Sequence, residues 1–183
     1  MNYAELFHLL HPGFFQAEGI RALPREHVFT ELVMDLRDDP PEGGPLPCPD
    51  GITFGAYRGE MAPLLDAVRR VDENWLQYFK EGYRYYCAFA GERIVAFCNL
   101  DDMGVFQGLH IGGPGCVGTV PEYRRQGIGL EMVRLATQTL RQEGFDLSWI
   151  HCTHLARWYM KLGYQPVLRW NSEGILPGPD GNL

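Results

Sequence analysis

The run Val120-Pro121-Glu122-Tyr123-Arg124-Arg125-Gln126-Gly127-Ile128-Gly129 concentrates the chemistry of this 183-residue sequence. A strand ends at Val120 and the chain turns at Pro121. From Ile128 apolar residues recur at Met132, Leu135, Ala136 and Leu140, one face of a helix stopped by Gly144. A helix start offers unpaired N–H groups and the positive end of a dipole. Gly127 and Gly129 let a phosphate approach the backbone, and Arg124 and Arg125 add charge. Gln126 and Ile128 complete the turn. The pattern suits a pyrophosphate. A plain strand-to-helix turn with glycines for packing is the competing reading.

Other patterns nearby are weaker. Gly113-Pro-Gly115-Cys-Val-Gly118 has the spacing of a dinucleotide fingerprint, but Pro121 stands where the helix should begin. Gly113 to Thr119 lacks the lysine of a P-loop, so a nucleotide-binding domain is the weakest alternative. His151, Cys152 and His154 crowd three donors into four positions, unlike paired metal ligands, and no metal is expected. Charge is uneven. Residues 1–120 are net −8, whereas residues 121–170 are net +3. An overall charge of −7 argues against a general nucleic-acid binder, and the basic stretch coincides with the proposed anion site. Five cysteines without a CxxC pair suit a reducing compartment, hence the cytoplasm. No apolar run reaches the ~20 residues of a membrane span. The start lacks the basic region of a signal peptide.

Arg124-x-x-Gly127-x-Gly129 resembles the Q/R-x-x-G-x-G acyl-CoA motif of the GNAT superfamily of N-acetyltransferases. Pro121-Glu-Tyr-Arg124 is also similar to that family. So is Thr153-His-Leu-Ala-Arg-Trp-Tyr159-Met-Lys-Leu-Gly163-Tyr164, which resembles its N-x-x-A-x-x-L-Y-x-K-x-G-F segment. The resemblance is strong over 114–170, weaker over 51–113, and absent from 1–47. It implies an α/β (α+β) fold: a mixed, mostly antiparallel sheet, splayed where acetyl-CoA inserts, with helices on both faces. It implies that Val117, Gly118 and Thr119 line the pantetheine arm, with Thr153 across the gap. It implies that residues 124–129 hold the pyrophosphate, and that Tyr159 protonates the departing thiolate. A phenol of pKa ~10 is protonated at neutral pH and suits that task. Without the family, Tyr159 reads as a core aromatic beside Trp158.

The expected activity is acetyl transfer from acetyl-CoA to a primary amine by direct attack in a ternary complex. The alternative is a non-catalytic acyl-CoA-binding module. An alkylammonium of pKa ~10.4 must lose a proton before it attacks. No glutamate lies between Asp102 and Glu122, which leaves His110 as the nearest titratable candidate for the base. Trp75, Tyr78 and Phe79 are candidates for an acceptor pocket, or ordinary core. His151 and His154 are candidates for substrate contact. The acceptor is a small molecule or a peptide amine. No nucleic-acid or membrane partner is expected, and a monomer and a homodimer both remain open.

The elements that must position these groups divide at a linker. Residues 38–51 hold five prolines and three glycines in fourteen positions, which no helix or central strand tolerates. Residues 1–47 form an extension with a short helix before Pro12-Gly13 and a strand over 27–36, with Thr30, Leu32, Met34 and Leu36 on one face. It covers the acceptor site, completes the sheet or makes a dimer contact. Residues 48–183 form the acyltransferase-like domain. There, 52–57 reads as a strand, 60–81 as helix with a break near Asp72, and 83–89 with 94–100 as a hairpin turning at Gly91. Residues 101–115 have no clear assignment, and Cys116–Val120 is a strand end. Leu147–Cys152 is a strand. Leu155, Trp158, Tyr159 and Leu162 mark a second helix, and Tyr164–Trp170 a last strand.

Overall fold

The computed structural model describes residues 1–38 and 44–177. Parts of the Pro/Gly-rich linker and of the turn-rich tail lie outside the described residues. Helix α1 (Tyr3–Leu10) is capped by the Asn2 side chain, which accepts from the Glu5 amide. A short helix α2 (Glu18–Arg21) follows, then strand β1 (Phe29–Asp35). Strand β2 (Ile52–Tyr57) leads to helix α3 (Met61–Val71), which buries Leu64 and Val68 at helical spacing. The expected break falls at Asp72. Its extended backbone ends α3, and its side chain accepts from the Asn74 amide to open a 3₁₀ segment over Glu73–Tyr78.

Strands β3 (Tyr85–Ala90), β4 (Arg93–Phe106) and β5 (Leu109–Thr119) form a meander. The β4–β5 turn is the two residues Gln107 and Gly108, both at positive φ, between the paired Phe106 and Leu109. That matches the twist of the hairpin. Residues 101–115, unassigned from sequence, are therefore strand on either side of this turn. Helix α4 (Ile128–Gln142) crosses over to strand β6 (Leu147–Thr153), parallel to β5. Helix α5 (Ala156–Met160) is shorter than its apolar spacing suggested, and strands β7 (Gln165–Asn171) and β8 (Gly174–Ile175) finish the fold.

The eight strands run β2-β3-β4-β5-β6-β1-β7-β8, antiparallel except at β5–β6. Strand β1 sits inside the sheet, hydrogen-bonded to β6 on one side and β7 on the other. Its alternation decides what each face receives. Leu32, Met34 and Leu36 join the core under α4 and α5. Phe29 and Val33 join Leu6, Phe7, Trp149 and Trp170 on the α1 side. A third cluster packs α3 on β3 and β4. Among the described residues, no helix is long and apolar enough to cross a membrane.

Leu32 is fully buried in a strand flanked on both edges. Leu32→Ala is expected to lower unfolding stability by about 2–5 kcal/mol, read by urea denaturation.

Candidate active site

Strands β5 and β6 pair only at Ile111–Leu147 and Gly112–Ser148, and then part. The run Gly112-Gly113-Pro114-Gly115 is where they do so. A Cβ on Gly113 would stand 2.0 Å from the Trp149 carbonyl oxygen, so glycine is required where the strands still touch. Leu100 donates its amide to the Arg84 carbonyl on the β3 side, at 2.9 Å. Its cross-strand partner Pro114 therefore turns its nitrogen toward β6, where no ladder continues. A proline inside a sheet is tolerated at such a place, where no strand needs its missing donor. The breaker-rich run is thus the start of the opening.

Beyond it the chain is bent on both walls. On β5, Cys116 has φ 45° at a bulge against β4, between the Phe97–Gly118 and Asn99–Gly115 pairs. On β6, Cys152 has φ 56°. The β5–β6 register carried forward sets these two left-handed residues opposite each other. Strained backbone of this kind gathers at functional sites.

The glycine motif opens α4 as expected. Arg125 (φ 61°) and Gly127 (φ 82°) turn the chain, and Gly127 is the N-cap. The amides of residues 125–129 donate to no protein acceptor among the described residues. Arg124 is anchored through Nε to the Thr119 carbonyl at 2.9 Å, and Gln126 reaches back to the Glu122 carbonyl at 3.1 Å. Gly129 lies against Thr119 and Trp158. Linker residue Pro47 brings its carbonyl over Gly127, where a Cβ would sit 2.2 Å from it. The bare faces of Gly127 and Gly129 are thus filled by the Pro47 carbonyl and by Thr119, not left open for a phosphate as the sequence suggested; what fits a diphosphate is the set of unpaired amides at a helix dipole end.

Tyr159 is 6% exposed in the α4/α5 core, beside Trp158 and Tyr164. Burial, with Tyr164, Cys98 and Cys116 nearby, pushes its phenol well above the ordinary tyrosine value. Thr153 uses its hydroxyl to accept from the Leu155 amide at 2.9 Å, which shapes the entry to α5. Val117 packs toward α4, and Gly118 lies under the Phe97 ring.

The other candidates separate. Phe79 is core, stacked on Tyr85. Trp75 is half-buried beside it, and Tyr78 is exposed. His110 sits at the closed end of β5–β6, stacked on Phe145 and paired with Asp102 at 2.9 Å. It is six residues before Cys116, roughly 20 Å along a strand. The structure does not bring it together with Tyr159. His154 bonds the Val28 carbonyl at 3.0 Å and lies on Phe29, tying β6 to β1.

Sequence reasoning missed three groups. Asp101 and Asn99 on β4 border Gly115, and burial raises the Asp101 carboxyl. The Asn99 Oδ1 is buried without a partner. The third is Glu31 on β1, fully buried. Its Oε2 accepts from Trp149 Nε1 at 2.6 Å and faces His151 Nδ1 at 2.9 Å. Its Oε1 accepts from Trp170 Nε1 at 2.6 Å and the Cys152 amide at 2.9 Å. Burial alone would raise this carboxyl, but the hydrogen bond and charge of His151, with Trp170 and Cys152, outweigh it and hold the pKa below the ordinary value. The sequence signal was an acid between Phe29 and Val33 on an apolar strand face.

His11 stacks on His151 with centroids 4.0 Å apart, and its Nε2 is buried without a partner. Burial, then the nearby His151, lowers its pKa to about 4 against a smaller opposing pull from Glu31. Donor atoms of His11, Glu31 and His151 lie within 4.8 Å of one another, as metal ligands can. Glu31 is already committed to four donors, though, and the two imidazoles lie face to face. This donor set does not suit a metal.

The profile of the acetyltransferase (GNAT) family matches residues 54–164. The chain belongs to the GNAT family. That family is one of acyltransferases, and the mostly antiparallel eight-stranded sheet with its helices is consistent with its fold. No curated protein matches the chain. Solved structures share the fold. A GCN5-related glucosamine N-acetyltransferase region of a fungal multi-domain GH3 beta-N-acetylglucosaminidase is 22% identical, with TM-score 0.63 over 80% of this chain and 20% of that one. A GCN5-related N-acetyltransferase from Kribbella flavida is 20% identical, with TM-score 0.54 over 85% of this chain and 60% of that one. One from Sphaerobacter thermophilus is 17% identical, with TM-score 0.59 over 81% and 51%. The GNAT chain thus spans less than two thirds of each of these proteins.

Two stability outcomes test the buried cluster. In Glu31→Gln an amide nitrogen must face donors that now have one acceptor oxygen; a loss of about 3–5 kcal/mol is expected in urea unfolding. The unfolded chain protonates His11 near its ordinary 6.5, whereas the folded chain resists until about 4. Stability is therefore lost as pH falls through that window. In His11→Phe the urea midpoint should vary less with pH there than in the parent.

Proposed function

We propose that the protein moves an acetyl group from acetyl-CoA to a primary amine, by direct attack within a ternary complex. The observation that carries this is the single line of features from the free amides of 125–129 to the opening between β5 and β6. The amides and Arg124–Arg125 hold the diphosphate. The arm lies along Val117–Thr119, and the bulged backbone at Cys116 polarises the acetyl carbonyl. Tyr159, kept neutral by its dry surroundings, protonates the sulfur as the C–S bond breaks.

The acceptor reading rests on charge. Asp101 and Asp72 lie near Cys116, on the face that carries α1 and α3, and suit a cationic amine. A small molecule and a peptide N-terminus both qualify. Five free cysteines among the described residues support a reducing, cytoplasmic setting.

CoA release from acetyl-CoA with a panel of alkylamines, amino sugars and peptides tests the proposal. Turnover is expected with at least one. Tight acetyl-CoA binding with no turnover on any would favour a non-catalytic acyl-CoA-binding module instead. Tyr159→Phe is expected to lower kcat about tenfold or more while leaving acetyl-CoA affinity nearly intact. An unchanged kcat would remove Tyr159 from the chemistry.

A further inference from the structure

The acyl-transfer reading lacks a group to take the proton of the attacking amine, and His110 lies at the wrong end of β5. His151 lies at the right one. The register places it three residues past the last β5–β6 pair, opposite Gly115, which has no side chain. Its face of β6 also carries Trp149 and is shared with Asn99 and Asp101 of β4. Its side chain keeps 28% of its surface exposed.

We infer that His151, oriented by Glu31, is the general base of this enzyme. This rests on the acyl-transfer reading and adds to it the proton acceptor. With Nδ1–H donated to Glu31, the imidazole presents a bare Nε2, which has no protein partner among the described residues. Nε2 first takes a proton from the ammonium, which frees the lone pair, and the nitrogen then bonds to the thioester carbon. The C–S bond breaks, the thiolate takes the Tyr159 proton, and the surplus proton on the new amide nitrogen restores the phenol. Glu31 is a positioning residue: it fixes the tautomer and stabilises the imidazolium that forms, as an orienting carboxylate does for a hydrolase histidine. Its other three donors hold it in place, and the positive φ of Cys152 turns one of them, the Cys152 amide, onto it.

The groups facing the His151 ring are Glu31 from β1, His11 after α1, and the aromatics Phe7, Phe14 and Trp170. His11 stays neutral under the ring and does not compete for the proton. Residues 1–31, which no GNAT motif covers, thus supply both partners of the base.

Water is an acceptor that needs no identification, and a base that deprotonates an amine also activates water. The experiment follows CoA release from acetyl-CoA by hydrolysis, and by any amine found to react, from pH 5 to 9. Calorimetry measures acetyl-CoA binding on the same samples. The expected result is an acid-side fall in the wild-type rate, and in His151→Gln a drop of about 10²-fold with that fall abolished and binding unchanged. Asp101→Asn should keep the acid-side fall. Three results overturn the inference: a His151→Gln rate within twofold of wild type, an acid-side fall lost in Asp101→Asn instead, or wild-type release no faster than buffer. Absence of acetyl-CoA binding by the wild type is a separate outcome. It removes the acyl-transfer reading itself, and the inference with it.

Discussion

Everything in this molecule turns on two parallel neighbours that hydrogen-bond at two positions and then separate. A sheet gains by continuing its ladder, so a parting of β5 from β6 must be imposed by sequence. Pro114 removes a donor on the β6 side, the bulge at Cys116 bends β5 against β4, and Cys152 turns β6 away at its end. Each is a local cost. Burial on both faces and the pairing of β6 with β1 keep the walls apart without unravelling the sheet.

The extension explains why that wall is stable. Strand β1 lies between β6 and β7, so the second half of the sheet could not close without it. It also brings Glu31 beneath the wall. A fully buried carboxylate is costly unless its lone pairs are filled, and here two indoles, an imidazole and an amide fill them. The same carboxylate ties β1, β6 and β7 into one unit. Packing and chemistry therefore share a residue, which is why its loss should be felt in both.

What the sequence made legible was local. The turn at Pro121 and the positive φ of Gly127 act through their own backbone, and so does the helix that follows. The strand character of β1 and its Leu32–Met34–Leu36 face were likewise readable from alternation. The stretch 101–115 was not, because glycine and proline read as breakers unless one knows that a neighbouring strand departs beside them. Glu31 was invisible as a functional group because its partners lie 118 to 139 residues away. His110 showed the converse. Its spacing from the motif suggested proximity, but a long hairpin carries it to the closed end and gives it to Asp102.

The central claim is that the open turn before α4 and the gap beside it hold one extended ligand. Backbone amide NMR of the labelled protein during titration with CoA reads this most directly. The account predicts saturable shifts concentrated at residues 125–129 and at 115–119, with the amides of β2 and β7 unmoved. Shifts absent from the turn, or spread evenly over the molecule, would contradict it.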